Sequence, residues 1–115
     1  MKILEKEIFD EEILHVSLGG SILTHTHFDA VTELVEEHFD KGIHKFSLDL
    51  GGVPFISSAG TGAILQLHKH LESKGGRLSL YGIIEDVQRL FSVTFIDKKL
   101  NIVANQDDSF DFLKE

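Results

Sequence analysis

Leu14, Val16 and Leu18 alternate with His15 and Ser17, a period of two that turns one face of a short strand inward and the other outward. The run Ile3–Phe9 precedes it across the acidic turn Asp10-Glu11-Glu12. Together the two segments predict a hairpin of half-buried strands. Beyond it the period becomes helical. Phe28, Val31, Leu34, Val35, His38 and Phe39 share one stripe over Phe28–Lys41. Thr26 with Asp29 resembles a capping box at the start, and Gly42 suits the stop. Phe46–Leu50 reads as a strand. A second helix spans Gly60–Ser73, with Ile64, Leu67, His68 and Leu71 on one face and Gly75-Gly76 behind it. Arg77–Tyr81 is a strand with Leu78 and Leu80 inward. Ile84–Phe91 is a third helix and Ile102–Ala104 a last short strand. Asp107 or Asp108 caps a C-terminal helix carrying Phe110 and Leu113.

A hairpin followed by alternating helices and strands predicts an α/β fold with right-handed crossovers. The expected sheet is mixed, with four to five strands. The alternation in the opening hairpin places about four helices mainly on one face. At 115 residues the chain has one domain's length, and no repeat, low-complexity run or linker divides it, so residues 1–115 are read as a single domain.

Composition removes several function classes. The chain has no cysteine, which excludes disulfides, thiolate metal sites and a cysteine nucleophile. Its net charge is −8, a field that repels phosphate backbones and anionic lipid, so a basic protein surface is the more natural partner. The apolar runs fall far short of the ~20 residues that span a bilayer, and Met1–Glu7 carries charges where a signal peptide is apolar. The expectation is a cytoplasmic protein with no membrane insertion and no nucleic-acid partner.

The most informative stretch is Asp49–Leu65. A strand ends, an apolar loop stiffened by Pro54 follows, and the small residues Ser57-Ser58-Ala59-Gly60-Thr61-Gly62 open a helix. Small residues there allow close approach of another backbone. This stretch resembles the STAS domain of bacterial anti-sigma factor antagonists. That family has a strand ending Asp-Leu-Ser, four mostly apolar residues, then Asp-Ser-Ser/Ala-Gly-x-Gly opening a helix. Asp49-Leu50-Gly51, Val53-Pro54-Phe55-Ile56 and Ser57–Gly62 follow it in order. Arg77–Gly82 resembles the family's fourth strand, Leu90–Ile102 its third helix, turn and last strand, and Asp108-Ser109-Phe110 the start of its last helix.

The resemblance implies a STAS fold and a regulatory cycle. The unmodified domain binds an anti-sigma factor that is also a serine kinase, and phosphorylation of one serine at the start of the second helix ends the contact. That serine falls at Ala59, which has no hydroxyl. The aspartate two residues earlier is Ser57, and a second family aspartate falls at Leu23. Either the chain binds without reversal at Ala59, or the phosphoacceptor has moved to Ser58, Ser57 or Thr61. The first reading is adopted, because a one-residue shift turns a hydroxyl by about 100° around a helix. The implied contact surface is Ser57, Ser58, Ala59, Gly60, Thr61 and Gly62, with Leu23, Thr24 and the third helix nearby.

Plainer readings of the same residues stand beside this one. Ser57 and Ser58 suit helix capping, and Phe55 and Ile56 suit partial burial before a packed helix. Gly60-Thr61-Gly62 lacks the lysine and spacing of a phosphate loop. His25 and His27 would share a face of an extended segment, without a third ligand, and read as exposed turn histidines. No catalytic set assembles by spacing, so no enzyme activity, metal or cofactor is expected. Two other functions fit less of the pattern: an accessory STAS subunit of a lipid or anion transport system, and a small nucleotide-binding enzyme.

Overall fold

The computed structural model describes Met1–Glu115. In chain order it runs β1 (Lys2–Phe9), β2 (Ile13–Gly19), α1 (His25–Asp40), β3 (Lys45–Gly52), α2 (Ser58–Ser73), β4 (Arg77–Tyr81), α3 (Glu85–Val93), a 3₁₀ turn (Ile96–Lys98) and α4 (Gln106–Leu113). The sheet has four strands in the order β1-β2-β3-β4. β1 and β2 are antiparallel, and β2, β3 and β4 are mutually parallel. Asp10 and Glu11 take left-handed φ values of 54° and 60°, which tightens the hairpin turn. No helix is long and apolar enough to cross a membrane.

Register explains the two faces of the sheet. Leu14, Phe46 and Leu78 lie in one cross-strand row, and Val16, Leu48 and Leu80 in another. These rows form the main core with Phe28, Val31 and Val35 of α1, Ile64, Leu67 and Leu71 of α2, and Val87 and Phe91 of α3. Each large apolar side chain buried there contributes about 1.5–3 kcal/mol. Three helices therefore cover one face, as the alternating pattern predicts.

The fourth helix lies on the other face, which the polar residues of the hairpin did not announce. His15, Ser47 and Ser79 form the row between the two apolar ones, and all three are buried. Ser109 of α4 meets Ser47 at 2.7 Å and donates to Ser79 at 2.9 Å. Arg77 donates to the Phe112 carbonyl at 2.9 Å and stacks over the Phe112 ring. Polar side chains can line a buried face when they satisfy one another, and periodicity reads them as exposed.

Other expectations move at element ends. Thr24, not Thr26, caps α1, accepting the His27 N–H at 3.2 Å, so the helix begins three residues before Phe28. Asn105, not Asp107 or Asp108, caps α4 by accepting the Asp108 N–H at 2.9 Å. Asp107 and Asp108 lie in the first turn, where their charge favours the helix dipole. Ile102–Ala104 forms only a single parallel bridge, Leu80 to Ile102, because the chain bonds β4 at Asn101 and Val103 and then enters α4. The α2 start is two residues earlier than Gly60, with Ser57 as its cap.

His15 links the second face to pH. Its Nε2 lies 2.5 Å from the Tyr81 hydroxyl, which donates to Gln106 of α4 at 3.3 Å. Phe9, Phe110 and Tyr81 ring the imidazole, and Nδ1 has no partner. Burial pushes the His15 pKa below 6.5, against the opposing pull of Asp49, Glu5 and Glu7. The same burial, with Asp49 and Glu5, pushes the Tyr81 hydroxyl up to about 12.

Two predictions follow from these contacts. Below pH 6.5 the unfolded chain takes up a proton at His15 that the folded chain resists, so this contribution to stability is present at neutral pH and lost as pH falls. Urea unfolding at about pH 7.5 and about pH 5.5 will show a smaller acid loss for His15→Gln than for the unaltered chain. The second concerns the start of α2. A Cβ on Gly60 would collide with the Ile22 carbonyl oxygen and lie 2.8 Å from the Ile22 side chain. A Cβ on Gly62 would meet only His25 ring atoms at 3.9 Å. Gly60→Ala will destabilise by about 3 kcal/mol, whereas Gly62→Ala will be neutral or stabilising by about 0.5–1 kcal/mol, both read from urea midpoints.

Candidate functional site

Two loops and one helix start build the site. After β2 the chain runs through Ile22, and after β3 it runs through Ile56; these residues form a parallel bridge beyond the ends of the strands. The Ile22 N–H donates to the Phe55 carbonyl at 3.0 Å, and the Ser57 N–H donates to the Ile22 carbonyl at 2.9 Å. Ile22 and Ile56 are fully buried. Phe55, their neighbour, turns out and is 51% exposed, so of the two apolar loop residues only Ile56 joins the core.

Ser57 joins the three pieces. Its hydroxyl donates to the Leu23 carbonyl at 2.7 Å and accepts the Gly60 N–H at 3.0 Å. Its own carbonyl accepts the Thr61 N–H at 2.8 Å. Leu23 is held on its other side as well, its N–H donating to His27 Nδ1 at 3.1 Å. With both backbone groups pinned, the Leu23 side chain projects outward. Positions 23 and 57 are therefore in direct contact, through the Ser57 hydroxyl and the Leu23 main-chain carbonyl.

The hydroxyls at this helix start differ in availability. Ser57 is committed to capping. Thr61 is buried, and its Oγ1 has no hydrogen-bond partner. Ser58 is exposed and makes no side-chain hydrogen bond within the chain. Ala59 is half-buried beside it. Ser58 and Ala59 occupy the first turn, where backbone N–H groups lie outside the helical ladder.

Sequence reasoning named Ser57–Gly62, Leu23 and Thr24, and these residues do lie together. It placed the third helix only nearby. Leu90, Thr94 and Ile96 complete a groove of about 230 Å³ with Ser58, Thr61 and Gly62. Val93 and Phe95, beside that groove in sequence, are 71% and 63% exposed. The overlooked signal was a run without charge, Leu90–Ile96, that carries more apolar residues than one buried stripe uses. His27 was also missed as a positioning residue. Histidines 25 and 27 lie in the first turn of α1 rather than on an extended segment, so they do not share a face. Nowhere do three histidine or carboxylate side chains converge as ligands for a metal ion.

A sequence profile described as the STAS domain matches residues 7–109. A Thermotoga maritima protein named "Putative anti-sigma factor antagonist" is 34% identical over 67 residues, covering 58% of this chain and 59% of that protein. The aligned stretch thus spans little more than half of that relative. The anti-sigma F factor antagonist of Paenibacillus polymyxa is 27% identical over 99 residues, covering 82% of this chain and 80% of that protein. Among solved structures, a T. maritima protein described in the same words as the first relative superposes with a TM-score of 0.81 at 22% identity, over 96% of this chain and 94% of that one. At that identity the likeness speaks for the fold alone. With the profile spanning nearly the whole chain and the same order of elements in space, the chain belongs to the STAS domain family and has the fold of its anti-sigma factor antagonists.

Proposed function

We propose that this chain is an anti-sigma factor antagonist that binds a kinase-type anti-sigma factor or a related switch kinase, acts by docking rather than catalysis, and is not released by phosphorylation at position 59. The observation that carries the reading is the state of the α2 start. Ser58 is exposed there, the segment is braced by the Ser57–Leu23 hydrogen bond, and half-buried Ala59 stands where the family pattern has its phosphoserine. Docking in place of chemistry is supported by the hydroxyls themselves. No imidazole or carboxylate hydrogen-bonds to Ser57, Ser58 or Thr61, so none has a general base in place.

The same geometry orders the three candidate replacements for the missing phosphoacceptor. Phosphate on Ser57 would remove the cap of α2 and the tie to Leu23. Thr61 is closed to a kinase by burial. Ser58 is the one exposed hydroxyl of the three, and it lies about 100° around the helix from position 59. Binding would then be governed by the amounts of the two proteins and by the state of the partner.

Ala59→Glu tests the reading. Glutamate in the first turn of a helix is compatible with its dipole, by about 0.3–1 kcal/mol, so the substitution leaves the domain folded. Its charge would stand in the contact where a phosphate would. Capture from a bacterial lysate, read by mass spectrometry, should return a serine-kinase anti-sigma factor with the unaltered chain and at least ~10-fold less with Ala59→Glu, a loss of about 1.4 kcal/mol. Capture of a transporter subunit in its place, or recovery of the kinase unchanged by the glutamate, would overturn the proposal.

A further inference from the structure

Helix α4 is separable from the rest of the domain. It contributes no side chain to the main core, in which α1, α2 and α3 all take part. Leu113, its one fully buried apolar side chain, stands outside that core, as do Ile13 and Tyr81. Much of what ties α4 to the sheet is polar: Ser109 to Ser47 and Ser79, Gln106 to Tyr81, Arg77 to the Phe112 carbonyl, and Lys114 to Asp10 at 2.6 Å. The link before it, Ala104-Asn105, is exposed. A helix of eight residues does not hold its shape alone in water. Lifted from the sheet it would unravel, while the main core kept all of its side chains.

Beneath α4 lies a buried imidazole. Tyr81 gives its one proton to Gln106, so in the short contact with His15 the hydrogen lies on Nε2. A further proton must then go to Nδ1, which is buried and has no hydrogen-bond partner. The ring would gain a charge and an N–H with nothing to receive it. The charged groups on this face do not relieve that cost. Glu5 and Glu7 of β1 and Asp49 of β3 attract the proton through space, but none hydrogen-bonds to the ring. Further along the face, Lys45 is paired with Glu12, and Arg77 of β4 donates to α4. On α4 itself Asp107, Asp108 and Asp111 are exposed, and Lys114 is paired with Asp10.

We propose that α4 is a proton-gated lid: when His15 takes up a proton, α4 leaves the sheet and the main core stays folded. Departure of α4 removes Phe110 from beside the imidazole and Gln106 from Tyr81, and water then solvates the charged ring. The open form therefore binds the proton at the ordinary histidine value of 6.5, and the closed form at a lower one. As pH falls below 6.5 the open form gains on the closed, by at most about 10-fold between about pH 7.5 and about pH 5.5. At neutral pH the lid is shut. This opening is local and precedes the unfolding of the whole chain. It lies on the face of the sheet opposite α1, α2 and α3, so it does not rest on the function proposed for the α2 start.

Amide hydrogen exchange of the full chain tests this, followed by NMR between about pH 7.5 and about pH 5 and corrected for intrinsic rates. The amides of Phe110–Leu113 should be less protected than those of Phe46–Leu50 at every pH, and should lose a further ~3- to 10-fold toward acid. The loss should level off where the His15 ring titrates in the folded chain, read from the shifts of its carbon-bound protons. In His15→Gln the loss should shrink below ~2-fold. Ser109→Ala cuts the ties to Ser47 and Ser79, so it should lower α4 protection at all pH values and preserve the ratio between them. If α4 and β3 amides share one protection factor, the helix leaves only when the whole chain unfolds, and the proposal falls. It falls equally if His15→Gln keeps the full acid loss, or if protection is lost only below the ring's own titration, which would assign the effect to carboxylates. That last outcome is read on the unaltered chain, so it decides even where His15→Gln does not fold.

Discussion

The approach of α2 to the loop after β2 sets the geometry of the α2 start, the proposed docking surface. Gly60 lies against the Ile22 carbonyl with no room for a Cβ, and Ile22 and Ile56 bridge beneath it. Ser57 then closes the junction with bonds to Leu23 and Gly60. Because both ends of Leu23 are fixed and the helix cannot slide, the residues above this contact are displayed without freedom to collapse. Such pre-organisation lowers the entropy lost when a partner docks. The absence of a side chain at one position and of a charge at two others therefore shape the same surface.

That surface differs from the rest of the domain in what stabilises it. The main core rests on rows of apolar residues aligned across three parallel strands. The second face depends instead on a chain of hydroxyls from Ser47 through Ser109 to Ser79, and on His15 with Tyr81. Buried polar groups of this kind hold α4 in one position, and they are costly when any member is lost. The main core does reach the α2 start, through Ile22 and Ile56 beneath Gly60, whereas the Ser58 side chain stands exposed above it.

Much of the fold was legible because its signals are local. Alternation in Ile13–Leu18 and the helical stripe from Phe28 to Phe39 depend on periodicity alone, and the β4 bounds fell at Arg77 and Tyr81. Helix starts were less legible. Thr24 and Thr26 are equally good capping residues, and the choice between them is made by the bridge at Ile22, a long-range contact. The position of α4 was hidden for a related reason. Serines at 47, 79 and 109 look solvated one by one and become interior only as a set. At the site, Ser57–Gly62 could be read because its glycines stand in a fixed order. The contribution of Leu90–Ile96 could not, since only the packing of α3 brings it to the groove.

The loss of a hydroxyl at position 59 has a consequence for how binding can be controlled. A phosphate placed in a close contact adds about −1.5 to −2 charges and acts as an all-or-none barrier. On the proposed reading a chain without that hydroxyl is governed by graded means, because the fraction bound varies hyperbolically with partner concentration relative to Kd. For a chain of net charge −8, a partner with a basic rim gains attraction from the surrounding field whatever the state of position 59, so on the proposed reading charge favours the encounter and the uncharged α2 start supplies the close contact.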